Sequence, residues 1–407
     1  IPAPRFHEDK FRGHDNIKRF FLHSHLYMSQ NILDQKLKGG VFIVAEIGKN
    51  FIQTEVERSV SEYLENAKAL VKAAKNVGAD AVKFQTHNVE DEVLNIEFDS
   101  PHFKGKSRYQ WVSRNERSTP LEDFWKPLKE YCDEIGVIFF STPMSRGAAM
   151  KLQQLDVPFW KVASSDILDF PMLDFMVSTG KAIIIPTGMS TLEDVDKSLD
   201  FLNRKNLSLT AIGDASYILM HAISRYPYPA EDSNLLTIPF FRKRFPDVTV
   251  GFSQNSPWVD PAIAAVALGA RVVEQHFTFD RALWGPDHKV SMTPDEFSLM
   301  AAGIREIEND REKCARVAAD HTLHKYFGTE GKFLHEREVP FRSIFRKSLV
   351  AGCDIREGAV ITADMLYAMR PQEFAGGLPS EKYEEVVGKV ASNSISKFTP
   401  MRKEMLI

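Results

Sequence analysis

The chain has 407 residues, of which 43% are hydrophobic and 26% are charged, a composition typical of a folded globular protein. Its formal net charge of −4 excludes a generally basic surface for nucleic acid, and no apolar run nears the roughly 18 residues of a membrane helix. Cys132, Cys314 and Cys353 lie far apart and match no metal-binding spacing, which favours a reducing, cytoplasmic location. At roughly 150 residues per domain, the length predicts two to three domains, or one large barrel with additions.

Residues 1–40 are polar and charged, and we predict an N-terminal extension that lies at the surface. The segment most like the core of a signal peptide, Phe20–Met28, is interrupted by His23, Ser24 and His25, so it does not predict secretion. His23 and His25 could share a metal ion, but a surface arm of variable structure is the simpler interpretation. The extension holds four of the twelve histidines, which are His7, His14, His23 and His25.

From residue 41 onward, short apolar runs alternate with longer amphipathic stretches. Most of the eight runs are apolar in their first half, as strands covered on both faces are. The runs are Val41–Gly48, Ala81–His87, Val137–Pro143, Phe159–Ser165, Ala182–Gly188, Tyr217–Ser224, Val248–Gln254 and Val272–Thr278. Between them, apolar residues recur at helical spacing, as at Val60, Leu64, Ala67 and Leu70.

Eight such units over residues 41–312 predict an α/β fold of the (β/α)8 TIM-barrel class, which takes roughly 250 residues. The alternative is a doubly wound open sheet. That alternative is disfavoured because the first turn, Gly48-Lys49-Asn50-Phe51, lacks the glycine pattern of a dinucleotide site.

The chain after the barrel divides into two parts. Residues 313–340 are polar and contain Gly328, Gly331 and Pro340, which predicts a linker. Residues 341–407 have short apolar runs and turn signals, which predict a small domain with little helix that leans on a neighbour. Within the barrel, residues 88–119 are rich in charged and aromatic side chains and are either a lid or a contact with a partner subunit.

Polar residues at the carboxyl ends of barrel strands face the active site. Lys83 and Lys161 stand near two such ends, where a buried ammonium group is costly unless it meets an anion. Hydroxyl groups end neighbouring strands, at Thr142, Ser164 and Ser253, and together these groups predict a phosphate-binding site. The alternative is a structural network, in which each lysine pairs with Glu46, Glu274 or Asp166.

His276 lies near the end of the eighth strand, where a neutral imidazole could bind a divalent metal ion. A lone histidine is more often a hydrogen-bonded core residue, and His87 and His221 share this ambiguity. No order of Ser, His and Asp and no zinc spacing stands out.

Motifs at all eight strand ends resemble the sialic acid synthase family, whose members are N-acetylneuraminate or nonulosonate synthases. They are Ala45-Glu-Ile-Gly-Lys-Asn50, Ala81-Val-Lys-Phe-Gln-Thr-His87, Phe140-Ser-Thr-Pro143, Trp160-Lys-Val-Ala-Ser164, Pro186-Thr-Gly-Met189, Tyr226-Pro-Tyr-Pro229, Gly251-Phe-Ser253, Val273-Glu-Gln-His-Phe-Thr278 and Gly285-Pro-Asp287. The C-terminal segment, with Arg370-Pro371, resembles the antifreeze-like SAF domain that these synthases carry. The resemblance covers nearly all of residues 41–407.

The resemblance implies that phosphoenolpyruvate condenses with an N-acylated hexosamine such as N-acetylmannosamine, giving a nine-carbon 2-keto acid and phosphate. In the family, C3 of the enol attacks the open-chain aldehyde, water attacks C2, and phosphate leaves by C–O cleavage. A divalent metal ion, Mn²⁺ or Mg²⁺, polarises the aldehyde, and carboxylates move protons. The expected partners are therefore two small-molecule substrates, without nucleic acid or membrane.

The motifs also imply roles for individual residues. Glu46 resembles the acidic residue near metal ion, water and sugar, and Asp166 stands where the family has Glu or Asp. We expect these two, with Lys83 and Lys161, to be the catalytic residues. The lysines are also implied to contact phosphoenolpyruvate, together with Thr142, Ser164 and Ser253. Contacts with the sugar are implied for Gln85, Tyr226 and Asp287, and Ser224 is expected to bind substrate as well.

Two further implications concern the metal ion and the partner subunit. His276 and Asn255 occupy the positions of the two metal ligands. Arg370 of a partner subunit is implied to reach the acyl group of the sugar across a domain-swapped homodimer.

Three positions depart from the family pattern. Asn255 replaces a usual histidine and is a weaker ligand for a transition metal. Pro186 replaces a serine, which removes a possible hydrogen-bond donor to phosphate. Ser224 replaces a common asparagine. Three hypotheses follow, which are a synthase with a weakened metal requirement, a synthase for a different aldose, and a non-catalytic paralogue. The retained charges argue against the paralogue, because unmatched buried charges destabilise a protein.

Overall fold

The computed structural model describes residues 32–33, 35–96, 107–206 and 217–407. The histidines of the predicted extension, His7, His14, His23 and His25, lie outside these residues. The helical residues 35–39 are tied to the barrel, because Arg271 donates to the carbonyl groups of Leu37 and Gly40.

Eight parallel strands form a nearly closed barrel, which confirms the fold class predicted from the sequence. They are β1 (Phe42–Gly48), β2 (Ala81–Thr86), β3 (Ile138–Pro143), β4 (Trp160–Lys161), β5 (Ile183–Pro186), β6 (Tyr217–Ala222), β7 (Thr249–Gln254) and β8 (Val272–His276). Successive strands pair, and β1 pairs with β8, while in the described residues the ladder is interrupted between β3 and β4. β4 is shorter than its predicted run, because the chain turns into a 3₁₀-helix at Ser164–Asp166.

Helices follow the strands, and most of them cover the outside of the barrel. They are α1 (Val60–Asn76), α2 (Val89–Glu92), α3 (Arg108–Ser118), α4 (Lys126–Ile135), α5 (Arg146–Gln153), α6 (Phe170–Ser178), α7 (Leu192–Asn206), α8 (Thr237–Arg244), α9 (Val259–Ala267), α10 (Pro294–Ile307) and α11 (Arg311–Ala319). α1 begins where Ser59 Oγ accepts a hydrogen bond of 3.2 Å from the backbone N–H of Glu62. None of the helices in the described ranges combines the length and the apolar content that a membrane crossing requires.

Side chains alternate along each strand, and this alternation fills the two layers of the barrel. In β1, Phe42 and Val44 belong to the apolar cluster inside the barrel, whereas Ile43 and Ala45 belong to the cluster between strands and helices. The next residue of the inward series is Glu46, which is also buried. The inward series therefore changes from apolar to charged at the carboxyl-terminal mouth of the barrel.

The C-terminal domain follows a segment that lies along the barrel, where Leu235 and Leu236 donate to the carbonyl groups of Tyr326 and Phe327. The domain comprises α12 (Val339–Phe345), β9 (Ser348–Ala351), β10 (Leu366–Met369), α13 (Gln372–Ala375) and α14 (Tyr383–Val386). β9 and β10 are antiparallel, and its helices are short, as the sequence predicts.

This domain rests on the barrel of its own chain. Arg146 donates to the carbonyl oxygens of Ala363 and Leu366, both at 2.8 Å. Lys347, which is 2% exposed, places Nζ 2.6 Å from Asp169 Oδ2. Buried charge pairs thus fix a domain that is too small to bury a large core by itself.

We expect Lys347→Met to lower the free energy of unfolding by about 3–5 kcal/mol, because it leaves the buried carboxylate of Asp169 without its cation. Lys382→Met is the matched control, since the Lys382–Glu385 ion pair is exposed and is worth about 0–1 kcal/mol. Urea unfolding followed by circular dichroism measures both variants. Equal, small losses would contradict the prediction.

Candidate active site

The polar ends of the inward series line a cavity of about 370 Å³ at the mouth of the barrel. TIM-barrel enzymes carry their active sites at this face. The cavity brings together nearly all the predicted site residues, which are Glu46, Lys83, Gln85, Thr142, Lys161, Ser164, Ser224, Tyr226, Ser253, Asn255, His276, Asp287 and Arg370. Asp166 is not part of its lining.

Two lysines and two carboxylates meet in this cavity. Lys83 Nζ lies 2.6 Å from Glu46 Oε2 and 3.7 Å from Glu274 Oε1, and it donates to Thr142 Oγ1 at 3.1 Å. Lys161 Nζ lies 3.3 Å from the same oxygen of Glu274. The ion pairs that the sequence analysis gave as an alternative are therefore present, and the paired lysines still line the cavity.

Burial and charge act in opposite directions on these groups. Burial lowers the pKa of Lys161 to about 8, an effect that Glu274 offsets only in part. Burial also acts on Lys83, but Glu274 and Glu46 outweigh it, and the pKa of Lys83 is raised. Against the effect of burial, Lys161 and Lys83 lower the pKa of Glu274 to about 2. Lys161 and Lys49, whose pKa burial likewise lowers to about 8, therefore both gain from an anionic ligand in this cavity.

Glu46 is also held by Gln85, whose Nε2 donates to Glu46 Oε1 at 2.9 Å. The tight end of β1 makes this possible, because Gly48 has a φ of 54° and no side chain. A Cβ at Gly48 would lie 3.0 Å from Glu46 Oε1, 3.1 Å from Gln85 Nε2 and 3.4 Å from Asp287 Oδ2. The predicted catalytic residue Glu46 and two predicted substrate contacts, Gln85 and Asp287, thus share one wall of the cavity.

Asp166 lies behind the cavity, where it is fully buried. Both of its carboxylate oxygens accept from Arg370 Nη2, at 2.6 and 2.7 Å. Lys347 Nζ lies 3.5 Å away. Against burial, Asp166 and Glu92 raise the pKa of Arg370, so this guanidinium stays charged. The contact between Arg370 and Asp166 is therefore made within one chain.

His276 and Asn255, the implied metal ligands, both line the cavity. Asn255 Nδ2 donates to the carbonyl oxygen of Ile223 at 2.7 Å, and His276 Nδ1 is buried without a hydrogen bond. Across the described ranges, no group of three or more His, Cys, Asp or Glu side chains is arranged to hold a metal ion. The residues present therefore do not fit a metal ion that protein side chains hold by themselves.

A chain of hydrogen-bonded polar groups at Lys49 also lies beside the cavity, and the strand-end pattern did not predict it. His87 Nδ1 lies 2.7 Å from Glu92 Oε2, and Lys49 Nζ lies 3.0 Å from His87 Nε2. An ammonium group can only donate, so Nε2 accepts and Nδ1 carries the proton towards Glu92. Burial lowers the pKa of His87 to about 4, which agrees with a neutral ring. The sequence signal for Lys49 was its place in the first strand-end motif.

Aromatic and cationic side chains from outside the strand ends also line the cavity. Arg108 and Trp111 come from α3, and Phe341 and Phe345 come from α12. The Arg108 guanidinium lies 4.6 Å from the centroid of the Phe345 ring. The described part of the segment 88–119 thus covers the cavity of its own chain. Nothing in the sequence pattern indicated that α12 folds back to this site.

The fold is a TIM barrel with paired lysines in a polar cavity at its catalytic face. A small domain after the barrel supplies an arginine to this cavity. Together these features define an enzyme of the sialic acid synthase type. The chain matches the NeuB family over residues 70–314 and the SAF domain over residues 346–407. The chain belongs to the NeuB family.

Named relatives cover most of the chain. N-acetylneuraminate-9-phosphate synthase of Drosophila melanogaster is 30% identical over 93% of this chain and 99% of that protein. N,N'-diacetyllegionaminic acid synthase of Campylobacter jejuni is 30% identical over 81% of this chain and 91% of that protein. The crystal structure of spore coat polysaccharide biosynthesis protein SpsE from Bacillus subtilis is 28% identical and matches with a TM-score of 0.70, covering 90% of this chain and 95% of that chain.

We expect sulfate, whose charge is constant between pH 7 and pH 9, to bind the cavity about tenfold more weakly at pH 9 than at pH 7. The ammonium form of Lys161, with a pKa of about 8, is present below that pH and lost above it. Isothermal titration calorimetry measures the affinity. Lys161→Met should reduce the pH dependence, and so should Lys49→Met, because the pKa of Lys49 is also about 8 and this residue lines the same cavity. The exposed Lys243→Met should leave the pH dependence unchanged. Equal affinity at the two pH values would rule out Lys161 as the binding cation.

Proposed function

We propose that the chain condenses phosphoenolpyruvate with an N-acyl-hexosamine, such as N-acetylmannosamine, to a nine-carbon 2-keto sugar acid and phosphate. The observation that carries the proposal is the convergence of Lys83 and Lys161 on Glu274 inside the polar cavity. Two relatives are named as synthases of different sugar acids, which supports this chemistry and leaves the acceptor sugar open.

The proposed reaction makes one carbon–carbon bond and one carbon–oxygen bond to water, and it breaks the carbon–oxygen bond to phosphate. C3 of phosphoenolpyruvate bonds to the aldehyde carbon of the open-chain sugar, whose oxygen takes up a proton. Water adds to C2 and gives up one proton, which balances the proton taken up by the sugar oxygen. The new hydroxyl group gives up its proton to the phosphate as the bond between C2 and the phosphate oxygen breaks and C2 becomes a carbonyl carbon. Three carbons from one substrate and six from the other account for the nine-carbon product.

We assign the phosphate and carboxylate of phosphoenolpyruvate to Lys83 and Lys161, with hydroxyl groups from Thr142, Ser164 and Ser253. Two ammonium groups fixed in a buried site stabilise the phosphate as it leaves, because they need no reorganisation to meet its charge. Ser253 Oγ donates to Glu274 at 3.0 Å, so it lies beside the carboxylate to which the lysines are paired.

We assign proton transfer to Glu46, which reaches the cavity between Lys83 and Gln85. The sugar is assigned to Gln85, Tyr226 and Asp287, with Ser224 as a further substrate contact. Arg370 is assigned to the acyl group, because its guanidinium lines the cavity and has a buried Nε without a hydrogen bond.

Asp166, which the motif predicts to be catalytic, has a different position from the other three catalytic candidates. It faces Arg370 and Lys347 and does not line the cavity. We therefore propose that Asp166 acts through Arg370, by fixing the direction and the charge of the guanidinium.

A requirement for Mn²⁺ or Mg²⁺ stays a prediction. His276 offers an imidazole nitrogen and Asn255 an amide oxygen, which is a weak donor set for a transition metal. The reaction steps above are therefore assigned to the chain's own groups. A cytoplasmic location is also part of the proposal. So is a domain-swapped homodimer, in which Arg370 makes the contact seen here within one chain with the barrel of the partner subunit instead.

The decisive assay is phosphate release from phosphoenolpyruvate with a panel of N-acyl-hexosamines and their 6-phosphates, with the keto acid identified by mass spectrometry. We expect release that depends on the acceptor, and a loss of kcat/KM of about 100-fold or more in Lys83→Met and Lys161→Met. Lys243→Met is the surface control. Absence of release with every acceptor, with and without EDTA, MnCl2 and MgCl2, would overturn the proposal.

The domain-swapped homodimer predicts complementation between two inactive variants. In mixed dimers of Arg370→Ala and Lys161→Met, one barrel with an intact Lys161 receives an intact Arg370 from its partner. Random mixing then restores about a quarter of the wild-type activity, because half of the dimers are mixed and each has one intact site. If Arg370 serves its own barrel, as in the contact with Asp166 described above, co-expression restores no activity.

A further inference from the structure

Glu338 is a buried carboxylate on the segment between barrel and C-terminal domain, at the start of α12. It is 1% exposed, and its Oε1 accepts hydrogen bonds from two loops of the barrel. One donor is the backbone N–H of Met189 after β5, at 3.0 Å, and the other is the backbone N–H of Ser224 after β6, at 2.5 Å. Its Oε2 accepts from the backbone N–H of His335 at 3.2 Å, so the same carboxylate completes the capping box of the short 3₁₀-helix Glu336–Glu338 that precedes α12.

The loop at Met189 is held from both sides by this segment. Met189 has a φ of 53°, a left-handed conformation that costs free energy for a residue with a side chain. Its carbonyl oxygen accepts from Arg342 Nη1 at 2.8 Å and from Arg346 Nη2 at 3.1 Å. Both peptide groups of Met189 are therefore fixed by side chains that lie around α12.

The loops that Glu338 joins also carry the wall of the cavity. Met189 and Ser224 both line it, and Ser224 Oγ is buried without a hydrogen bond. A Cβ at Gly188 would lie only 2.1 Å from Ser224 Oγ and 2.8 Å from Ser164 Oγ, so the loop packs directly on both hydroxyl groups. A shift of this loop would move both hydroxyl groups.

We infer that Glu338 is a positioning residue for the phosphoenolpyruvate site. By joining the backbone of Ser224 to that of Met189, it holds the hydroxyl groups of Ser224 and Ser164 in the cavity. Since α12 also supplies Phe341 and Phe345 to the cavity and leads directly into β9, this carboxylate couples the seating of the C-terminal domain to the geometry of the site. The inference deepens the proposed function and rests on it for the identity of the ligand.

Two substitutions separate positioning from folding. Glu338→Ala removes the acceptor, whereas Glu338→Gln keeps an oxygen that can accept from both N–H groups. Glu336→Gln is the matched control, because Glu336 is exposed on the same turn. Circular dichroism and Tm first establish that each variant is folded.

Hydrogen exchange measured by mass spectrometry on the ligand-free chain tests the hydrogen bonds directly. We expect amide exchange in the peptides with Met189 and Ser224 to be about tenfold faster or more in Glu338→Ala, and unchanged in Glu336→Gln. Unchanged exchange at these amides in Glu338→Ala would overturn the inference.

The affinity for phosphoenolpyruvate, measured by calorimetry, tests the consequence for the site. We expect Glu338→Ala to raise Kd about tenfold or more, and Glu338→Gln to restore it to within about threefold of wild type. Faster exchange with an unchanged Kd would also overturn the inference. If the wild-type chain binds no phosphoenolpyruvate, the proposed function fails, and the exchange rates still decide whether Glu338 positions the two loops.

Discussion

The molecule depends on holding two ammonium groups and two carboxylates out of bulk water at one end of a barrel. Any one of these groups, buried alone, would cost several kcal/mol, and the pairing of each lysine with Glu46 or Glu274 makes the burial tolerable. The barrel supplies this arrangement through the alternation of side chains along parallel strands. The same inward series that fills the interior with apolar side chains delivers the charges at its carboxyl end.

The pairing also leaves the cavity receptive to an anion. Glu274 is shared by Lys161 at 3.3 Å and Lys83 at 3.7 Å, and Lys83 also has Glu46 at 2.6 Å, so among the described residues Lys161 has no carboxylate partner of its own. Burial lowers the pKa of Lys161 to about 8, because Glu274 offsets only part of the effect of burial. A protein with a net charge of −4 can therefore bind an anionic substrate through the placement of a few cations.

The C-terminal domain extends the same principle to the contact between domains. Arg370 meets Asp166 and Lys347 meets Asp169 in buried pairs, and the polar contacts of α12 fix the loops after β5 and β6. Removing one partner of such a pair leaves the other charge buried without a partner. This cost makes the position of the domain on the barrel specific as well as stable. The cavity is therefore built from three parts of the chain, which are the barrel, α3 and the connecting segment with its domain.

Much of the fold could be predicted from local pattern. The eight apolar runs predict the eight strands, and the helical spacing of Val60, Leu64, Ala67 and Leu70 predicts α1, because both patterns are local signals. The length of β4 was overestimated, since the 3₁₀-helix at Ser164–Asp166 that ends it depends on how the strand end packs. Lys83, Lys161 and the neighbouring hydroxyl groups could be selected because strand ends converge in any TIM barrel.

The sequence by itself determined the barrel, the order of its strands and the residues at their ends, because these follow from periodicity and from the rules of parallel sheets. Only the tertiary structure decided which carboxylate each lysine meets, and that Asp166 turns away from the cavity towards Arg370. It also decided that Glu338, from the predicted linker 313–340, and Phe341 and Phe345, from the predicted small domain 341–407, return to the barrel mouth. Such contacts join residues more than a hundred positions apart, and their partners are selected by packing and charge in three dimensions, which no local pattern records.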